Sequence, residues 1–102
     1  MPTLETADLL EWVPIAVGQR ARCDCCSATL RPNDRLEVLV VRDDGDLELV
    51  ARRCVHCARG RLRTGTRRTC WLARGWLAAS VDGDGRSRLV LSGASVIDRN
   101  AD

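Results

Sequence analysis

Two stretches of alternating apolar and polar residues dominate the middle of the chain. Residues 36–41 and 47–51 are rich in Leu and Val, and an Arg-Asp-Asp-Gly-Asp segment, residues 42–46, separates them. Short β-branched runs that flank an Asp-Gly turn are a strong signal for an antiparallel hairpin. We therefore predict a first β-hairpin over this part of the chain.

A second apolar region lies toward the C-terminus. Residues 71–81 and 87–91 flank a Gly-rich segment, residues 82–85, and this order is again typical of paired strands. Residues 94–97 are expected to add a short final strand. The region 71–97 thus predicts a second hairpin, and the chain as a whole is expected to be β-rich.

The N-terminal segment has a helical pattern rather than an alternating one. Over residues 3–13, Leu4, Leu9 and Trp12 fall on one stripe, and Pro14 ends the run. Threonines near the start of this segment are suitable N-caps. The pattern predicts a short helix that Trp12 anchors on the domain.

Two pairs of cysteines stand on either side of the first hairpin. Cys23 and Cys26 form one pair, Cys54 and Cys57 form the other, and 27 residues separate the pairs. Two residues between the thiols let both thiolates of a pair reach one ion, and two such pairs are the pattern of a tetrahedral zinc site. Four protein ligands leave no position for water, so we expect one structural Zn²⁺. Iron is the alternative occupant.

Other thiols and the histidine offer alternatives to this ligand set. Cys25 can ligate only by giving up the two-residue spacing of its pair, and His56 only in place of Cys57. We expect that Cys25 and His56 are not metal ligands and that Cys70 is a small buried side chain. One hypothesis for the function is therefore a thiol enzyme that uses Cys25 or Cys70 with His56 as its base.

Composition limits the hydrophobic core. The 102 residues fit a single domain over residues 1–102, and the chain has three Trp but no Phe or Tyr. Trp71 and Trp76 are expected in the core, beside Leu, Val and Ala side chains. A domain this small leaves much of its surface exposed to water, and a metal site commonly supplements such a core.

The positive charge of the chain is concentrated in one segment. Residues 52–74 contain eight Arg and no acidic residue, whereas the net charge of the whole chain is only +2. Clustered Arg beside a zinc site is the electrostatic pattern of a nucleic-acid binder. The alternative is neutralisation of the metal centre, because four thiolates and one Zn²⁺ carry a net negative charge. The candidates for nucleic-acid or partner binding are Arg59, Arg61, Arg63, Arg67 and Arg68.

The sequence shows no signal for secretion or membrane insertion. The first residues lack a basic start followed by a long apolar run, and no stretch approaches the roughly 20 apolar residues that span a bilayer. We therefore expect a cytoplasmic protein without a membrane partner. Thiols stay reduced in the cytoplasm, which favours metal ligation over disulfides.

Three short motifs carry a resemblance to a known group of proteins. They are Arg22-Cys-Asp-Cys-Cys26, Leu30-Arg-Pro-Asn-Asp34 before a β-run, and Cys54-Val-His-Cys57. Over roughly residues 3–58 the chain resembles small, uncharacterised zinc-finger-like proteins of halophilic archaea. The resemblance implies a zinc site and no established activity.

The resemblance also bears on the nucleic-acid hypothesis. In a cytoplasm that holds molar salt, the electrostatic screening length falls to about 3 Å. A protein that neutralises about eight phosphates then loses about seven orders of magnitude in affinity for each tenfold rise in salt. Binding driven by charge alone is therefore disfavoured.

The cysteine pairs and the hairpins together predict a small β-rich, zinc-bound domain of zinc-ribbon or treble-clef type. Residues 23–57 are expected to hold the two zinc knuckles and the first hairpin. The closed metal site and the lack of an acid–base constellation favour a non-enzymatic binding module, such as a protein-interaction or regulatory adaptor. A nucleic-acid-binding zinc finger that uses the Arg-rich segment 52–74 is the alternative.

Overall fold

The chain folds mainly into β-strands. The computed structural model describes residues 10–62 and 69–100. Within these residues the strands are β1 (Pro14–Val17), β2 (Ala21–Arg22), β3 (Thr29–Leu30), β4 (Arg35–Asp43), β5 (Asp46–Cys54), β6 (Cys70–Val81) and β7 (Ser87–Arg99). The prediction of a β-rich fold is confirmed.

Five of these strands form one antiparallel sheet in the order β1-β7-β6-β4-β5. The β4–β5 and β6–β7 pairs are the two hairpins expected from the sequence, and β4 joins them by pairing with β6. Strands β2 and β3 form a separate two-stranded ribbon. Residues 94–97 are not a separate strand, because β7 continues through an irregularity opposite Gly75.

The sheet curls until its two edge strands, β1 and β5, approach each other. The side chain of Arg52 spans this gap. Its Nη1 donates a hydrogen bond to Ile15 O on β1, and its Nε donates to Arg22 O on β2 (3.0 Å). A guanidinium presents several donors in a fixed plane, so one side chain of β5 ties both the opposite edge of the sheet and the ribbon.

One face of the sheet and the ribbon enclose the hydrophobic core. Leu36, Val38 and Val40 alternate along β4, as expected for a strand with one buried face, and all three are buried there. Cys23 and Cys54 belong to the same cluster, so the cysteine pairs are continuous with the core. The other buried members are Leu10, Val13, Ile15, Ala21, Leu30, Trp71, Ala73, Leu77, Leu89 and Leu91.

The tryptophans of β6 have opposite environments. Trp71 is 4% exposed, which confirms its predicted place in the core, but Trp76 is 41% exposed and its predicted burial is wrong. Successive side chains of a strand point to opposite faces of the sheet. Leu77 is buried in the core, so its neighbour Trp76 must lie on the other face.

The predicted helix over residues 3–13 is not supported. Its beginning lies outside the described residues. Leu10 has helical geometry, but the chain then turns, and Val13 N donates to Leu10 O (3.2 Å). Trp12 has a φ of +68°, which no right-handed helix contains, and it is 61% exposed rather than packed as an anchor. Pro14 therefore begins β1 instead of ending a helix.

The described residues offer no helix with the length and hydropathy of a membrane span.

Gly75 lies at a point of β6 that has no room for a side chain. A Cβ there would be 2.6 Å from Ser92 O and 2.8 Å from Leu91 Cδ1. We expect Gly75→Ala to lower the free energy of unfolding by about 1–3 kcal/mol, the usual cost of overpacking, as measured by urea denaturation.

Gly83→Ala is the matched control, because nothing lies within 4 Å of a Cβ at that position. We expect its free energy of unfolding to stay within about 0.5 kcal/mol of the wild-type value. Equal losses in both variants would contradict the packing of β6 against β7.

Candidate metal centre

The first cysteine pair lies in a tight turn between β2 and β3. Ser27 N donates a hydrogen bond to Cys23 O (2.9 Å), and Cys23 N donates to Ala28 O (2.9 Å). Ser27 completes the turn with a φ of +64°, in the left-handed region that favours glycine. The turn folds Cys26 back beside Cys23.

The second cysteine pair begins where β5 ends. Cys57 N donates to Cys54 O (3.0 Å), which closes the second turn, and Cys54 N donates to Cys23 Sγ (3.3 Å). Asp24 joins the two turns more firmly, because Asp24 N donates to Arg52 O (2.9 Å) and Arg52 N donates to Asp24 Oδ2 (2.8 Å). The aspartate between the first two cysteines thus binds the end of β5 through its backbone N–H and its carboxylate.

These turns bring the four predicted ligands together. The sulfur atoms of Cys23, Cys26, Cys54 and Cys57 all lie within 4.8 Å of one another. The Cys26 and Cys54 sulfurs are 3.7 Å apart, close to the separation of about 3.8 Å that Zn–S bonds of about 2.3 Å give in a tetrahedron. All four cysteines are free thiols. The donor set fits one tetrahedral metal ion.

The thiols of this cluster differ in their electrostatic environment. Burial raises the pKa of Cys23, but the backbone N–H groups of Cys26, Cys54 and Cys25 outweigh it and lower that pKa to about 6. The neighbouring thiols of Cys25 and Cys26 raise the pKa of Cys57, and burial adds to this effect. Backbone N–H groups thus favour ionisation of Cys23, whereas neighbouring thiols and burial disfavour ionisation of Cys57.

The remaining thiols and the histidine lie outside the four-sulfur cluster. Cys25 and His56 are both exposed, on the turns that carry the ligands. Cys25 N also donates to Cys23 Sγ (3.4 Å), so the backbone of this residue supports the cluster. Cys70 is 1% exposed at the start of β6, as expected from the sequence, and a thiol that solvent does not reach is poorly placed to attack a substrate.

Glu37 is a buried carboxylate beside the metal centre that the sequence analysis did not single out. It is 1% exposed on β4. Its Oε1 accepts hydrogen bonds from Arg59 N (2.9 Å) and Arg53 Nη1 (3.2 Å), and its Oε2 accepts one from Gly60 N (2.9 Å). The carboxylate therefore holds the segment that follows the second cysteine pair against the sheet.

The described arginines of the Arg-rich segment have different environments. The Arg52 side chain donates to backbone carbonyls, and the Arg53 side chain pairs with Glu37. Arg59 and Arg61 are exposed, and Arg74 is exposed on β6. The predicted binding residues Arg63, Arg67 and Arg68 lie outside the described residues.

A groove of about 320 Å³ adjoins the metal centre on the outer face of the sheet. Its floor comes from β4, β6 and β7, and one wall comes from the segment after Cys54. The Arg35 guanidinium lies over the Trp76 ring, 5.2 Å from its centroid. Gly93 borders the same ring, since a Cβ there would be 2.5 Å from Trp76 Cζ3. The lining side chains used below are Arg35, Val55, Ala58, Arg74, Trp76 and Ser95.

The two arginines of the groove have no acidic partner. Within the described residues, the one ion pair is that of Arg53 with Glu37, so no carboxylate lies within ion-pair distance of Arg35 or Arg74. Glu37 also lines the groove, opposite Arg74, but its carboxylate pairs with Arg53. The groove therefore presents two guanidinium groups without an ion-pair partner among the described residues, beside an aromatic ring.

Comparisons with protein-family models, with curated proteins and with solved structures each find no match to this chain.

Replacing one cysteine of the cluster should show whether that residue binds the metal. We expect Cys26→Ser to weaken Co²⁺ binding by at least roughly 100-fold and to remove the absorption of the four-thiolate complex, because only three soft donors remain. Titration with Co²⁺, followed by visible absorption, measures both effects.

Cys25→Ser is the matched control for this experiment, since Cys25 lies on the same turn but outside the cluster. We expect it to bind one Co²⁺ with unchanged affinity and spectrum. If Cys25→Ser loses the metal and Cys26→Ser keeps it, the ligand set is wrong.

Replacing Glu37 should test the carboxylate beside the metal centre. In Glu37→Gln the amide group brings N–H donors toward backbone N–H groups and leaves the partly buried Arg53 uncompensated, so we expect a loss of about 2–4 kcal/mol in the free energy of unfolding. Glu48→Gln on the exposed side of β5 is the control, with a change within about 0.5 kcal/mol. Chemical denaturation of the metal-loaded proteins measures both, and a similar small change in the two variants would contradict the anchoring role.

Proposed function

We propose that this protein is a zinc-stabilised, non-enzymatic binding module that acts as a protein-interaction or regulatory adaptor. The observation that carries the proposal is the groove, in which an exposed Trp76 and two arginines without acidic partners lie beside a closed cluster of four thiols. Exposed aromatic and Arg side chains are the residue types enriched at protein interfaces. The partner is therefore proposed to bind at this face of the sheet.

We assign the metal as one structural Zn²⁺. Four thiols whose sulfur atoms lie within 4.8 Å of one another offer the soft, closed donor set typical of structural zinc sites. A closed site has no position for a water molecule, so it does not generate a hydroxide nucleophile. In this proposal zinc holds the two knuckles in a zinc-ribbon-like arrangement around the β4–β5 hairpin, and the chain lies in the reducing cytoplasm, where thiols stay available to the metal.

The contacts of the groove support binding rather than catalysis. Both oxygens of Glu37 already accept hydrogen bonds from Arg53, Arg59 and Gly60, so this carboxylate is not available as a general base. A catalytic acid or base must come within hydrogen-bond reach of its substrate. The groove side chains Arg35, Arg74 and Ser95 provide hydrogen-bond donors, which serve recognition.

Nucleic-acid binding is the second candidate function. Arg59 and Arg61 are exposed on the segment after the second cysteine pair, as a phosphate-binding segment requires. Two observations favour a protein partner over it. Arg52 and Arg53 are already committed to internal hydrogen bonds, and the Arg35 guanidinium covers the face of Trp76 on which a base would stack.

Site-specific photo-crosslinking tests the proposed function. We replace Val55, at the groove and 55% exposed, with the photoreactive residue p-benzoylphenylalanine, and Val50, on edge strand β5 and 54% exposed, as the matched control. In lysate of the source cells we expect protease-sensitive adducts from position 55 and few from position 50, because only the first lines the groove. Partners identified by mass spectrometry are then tested as purified proteins against wild type and Trp76→Ala.

The proposal requires a purified partner that binds the wild type and loses at least roughly tenfold in affinity for Trp76→Ala, as expected for an interface Trp. Adducts that nuclease removes and protease does not would favour the nucleic-acid function instead. Equal adducts from positions 50 and 55 would contradict a binding face at the groove.

A further inference from the structure

The groove depends on the metal centre for one of its walls. Val55 and Ala58 lie within and just after the second cysteine turn, and they line the groove opposite the side chains of β4 and β6. This wall is held by the thiol cluster on one side and by the hydrogen bonds of Glu37 to Arg59 N and Gly60 N on the other. The groove is thus a formed part of the fold rather than a gap between loose segments.

The two arginines of the groove have defined positions on the sheet. Arg35 on β4 lies directly opposite Trp76 on β6, and Glu37 lies opposite Arg74. Arg35 and Arg74 are therefore diagonal neighbours on one face of an antiparallel pair, a relation that places Cβ atoms about 7–8 Å apart. Alternate residues of an extended peptide are separated by a similar distance, about 6.6–6.8 Å.

The chemistry of these groups matches carboxylates. A guanidinium presents donors in a planar fork that a carboxylate accepts at two points, and such charge-assisted bonds are about twice as strong as neutral ones. Stacking on Trp76 fixes the position of Arg35 before a ligand arrives. Because Arg35 and Arg74 have no acidic partner in the described part of the chain, their charges are available to an incoming acid.

We infer that the groove binds an extended, acidic segment of a partner protein, with two carboxylates at positions i and i+2 paired to Arg35 and Arg74. An apolar side chain at position i−2 or i+4 lies on the same face of the segment and packs against Trp76 and Val55. This inference rests on the proposed protein-binding function and names the chemistry that the partner must carry. At the edge of the groove, Glu11 accepts hydrogen bonds from Gly93 N (3.1 Å) and Ala94 N (2.9 Å).

A polynucleotide fits this groove less well than a peptide does. Single-stranded nucleic acids bind through a continuous positive track and free aromatic faces. The groove itself offers two cations, and one face of its single aromatic ring is covered by Arg35. Charge complementarity and spacing together therefore favour an acid-x-acid segment.

The test compares synthetic peptides that differ only in the spacing of their acids. The first is acetyl-Ser-Leu-Ser-Glu-Ser-Glu-Ser-amide, and its isomer places the two Glu next to each other, so that they point to opposite faces of an extended chain. Binding to the metal-loaded full chain is followed by two-dimensional amide and indole NMR at low salt. We expect the first peptide to bind about tenfold more tightly than the isomer, which corresponds to one lost charge-assisted pair.

Variants of the protein locate the site. Arg35→Met and Arg74→Met keep the aliphatic stem and remove the charge, and each should weaken binding of the first peptide about tenfold. Arg86→Met is the matched control, since Arg86 is exposed in the turn between β6 and β7 and does not line the groove. It should bind the peptide as the wild type does. Thermal unfolding confirms that all three variants fold.

The outcomes separate this inference from the proposed function. Equal affinities of the two peptides, or equal losses in Arg35→Met, Arg74→Met and Arg86→Met, would overturn the acidic-segment inference. If position-55 crosslinks to a protein partner persist in that case, the binding module stands and only its ligand chemistry is wrong. Tighter binding of a six-residue single-stranded oligothymidylate than of the first peptide, lost in the same two variants, would overturn both.

Discussion

The close approach of four thiols is the constraint on which the rest of the structure depends. Cys23 and Cys54 are buried in the same cluster as the Leu and Val side chains of the sheet, so the metal centre and the core are one unit. A chain of 102 residues without Phe or Tyr has a modest core. A chain of this size also buries a smaller fraction of its surface on folding than a longer chain does. A metal ion bound to thiolates can add folding free energy that such a core lacks.

Two charged side chains extend this constraint to other parts of the fold. Arg52 ties edge strand β5 to β1 and β2, and Glu37 holds the segment after the second cysteine pair. Hydrogen bonds to a charged group are about twice as strong as neutral ones. Here the side chains of Arg52 and Glu37 set the curl of the sheet and the wall of the groove. The surface proposed to bind a partner therefore depends on the contacts that enclose the core.

Local signals in the sequence were sufficient for the hairpins and for the clustering of the four cysteines. The Asp-Gly turn and the two-residue spacing of the cysteines act over a few residues, and the structure shows both the hairpins and the cluster. The pairing of β4 with β6 joins distant parts of the chain, and nothing local encodes it. Trp76, Glu37 and Trp12 were misjudged or missed for the same reason. The face that Trp76 occupies depends on this pairing, the burial of Glu37 depends on the loop above it, and the left-handed backbone of Trp12 depends on the start of β1.

The central claim is that the metal centre organises both the core and the groove. It is tested most directly by removing the metal from the full chain with a strong chelator under reducing conditions and comparing two-dimensional amide and indole NMR spectra before and after. The account predicts that signals of Cys23, Cys54 and Val55 and the indole signal of Trp76 lose their native positions, and that one equivalent of Zn²⁺ restores them. An unchanged spectrum in the metal-free protein would contradict it.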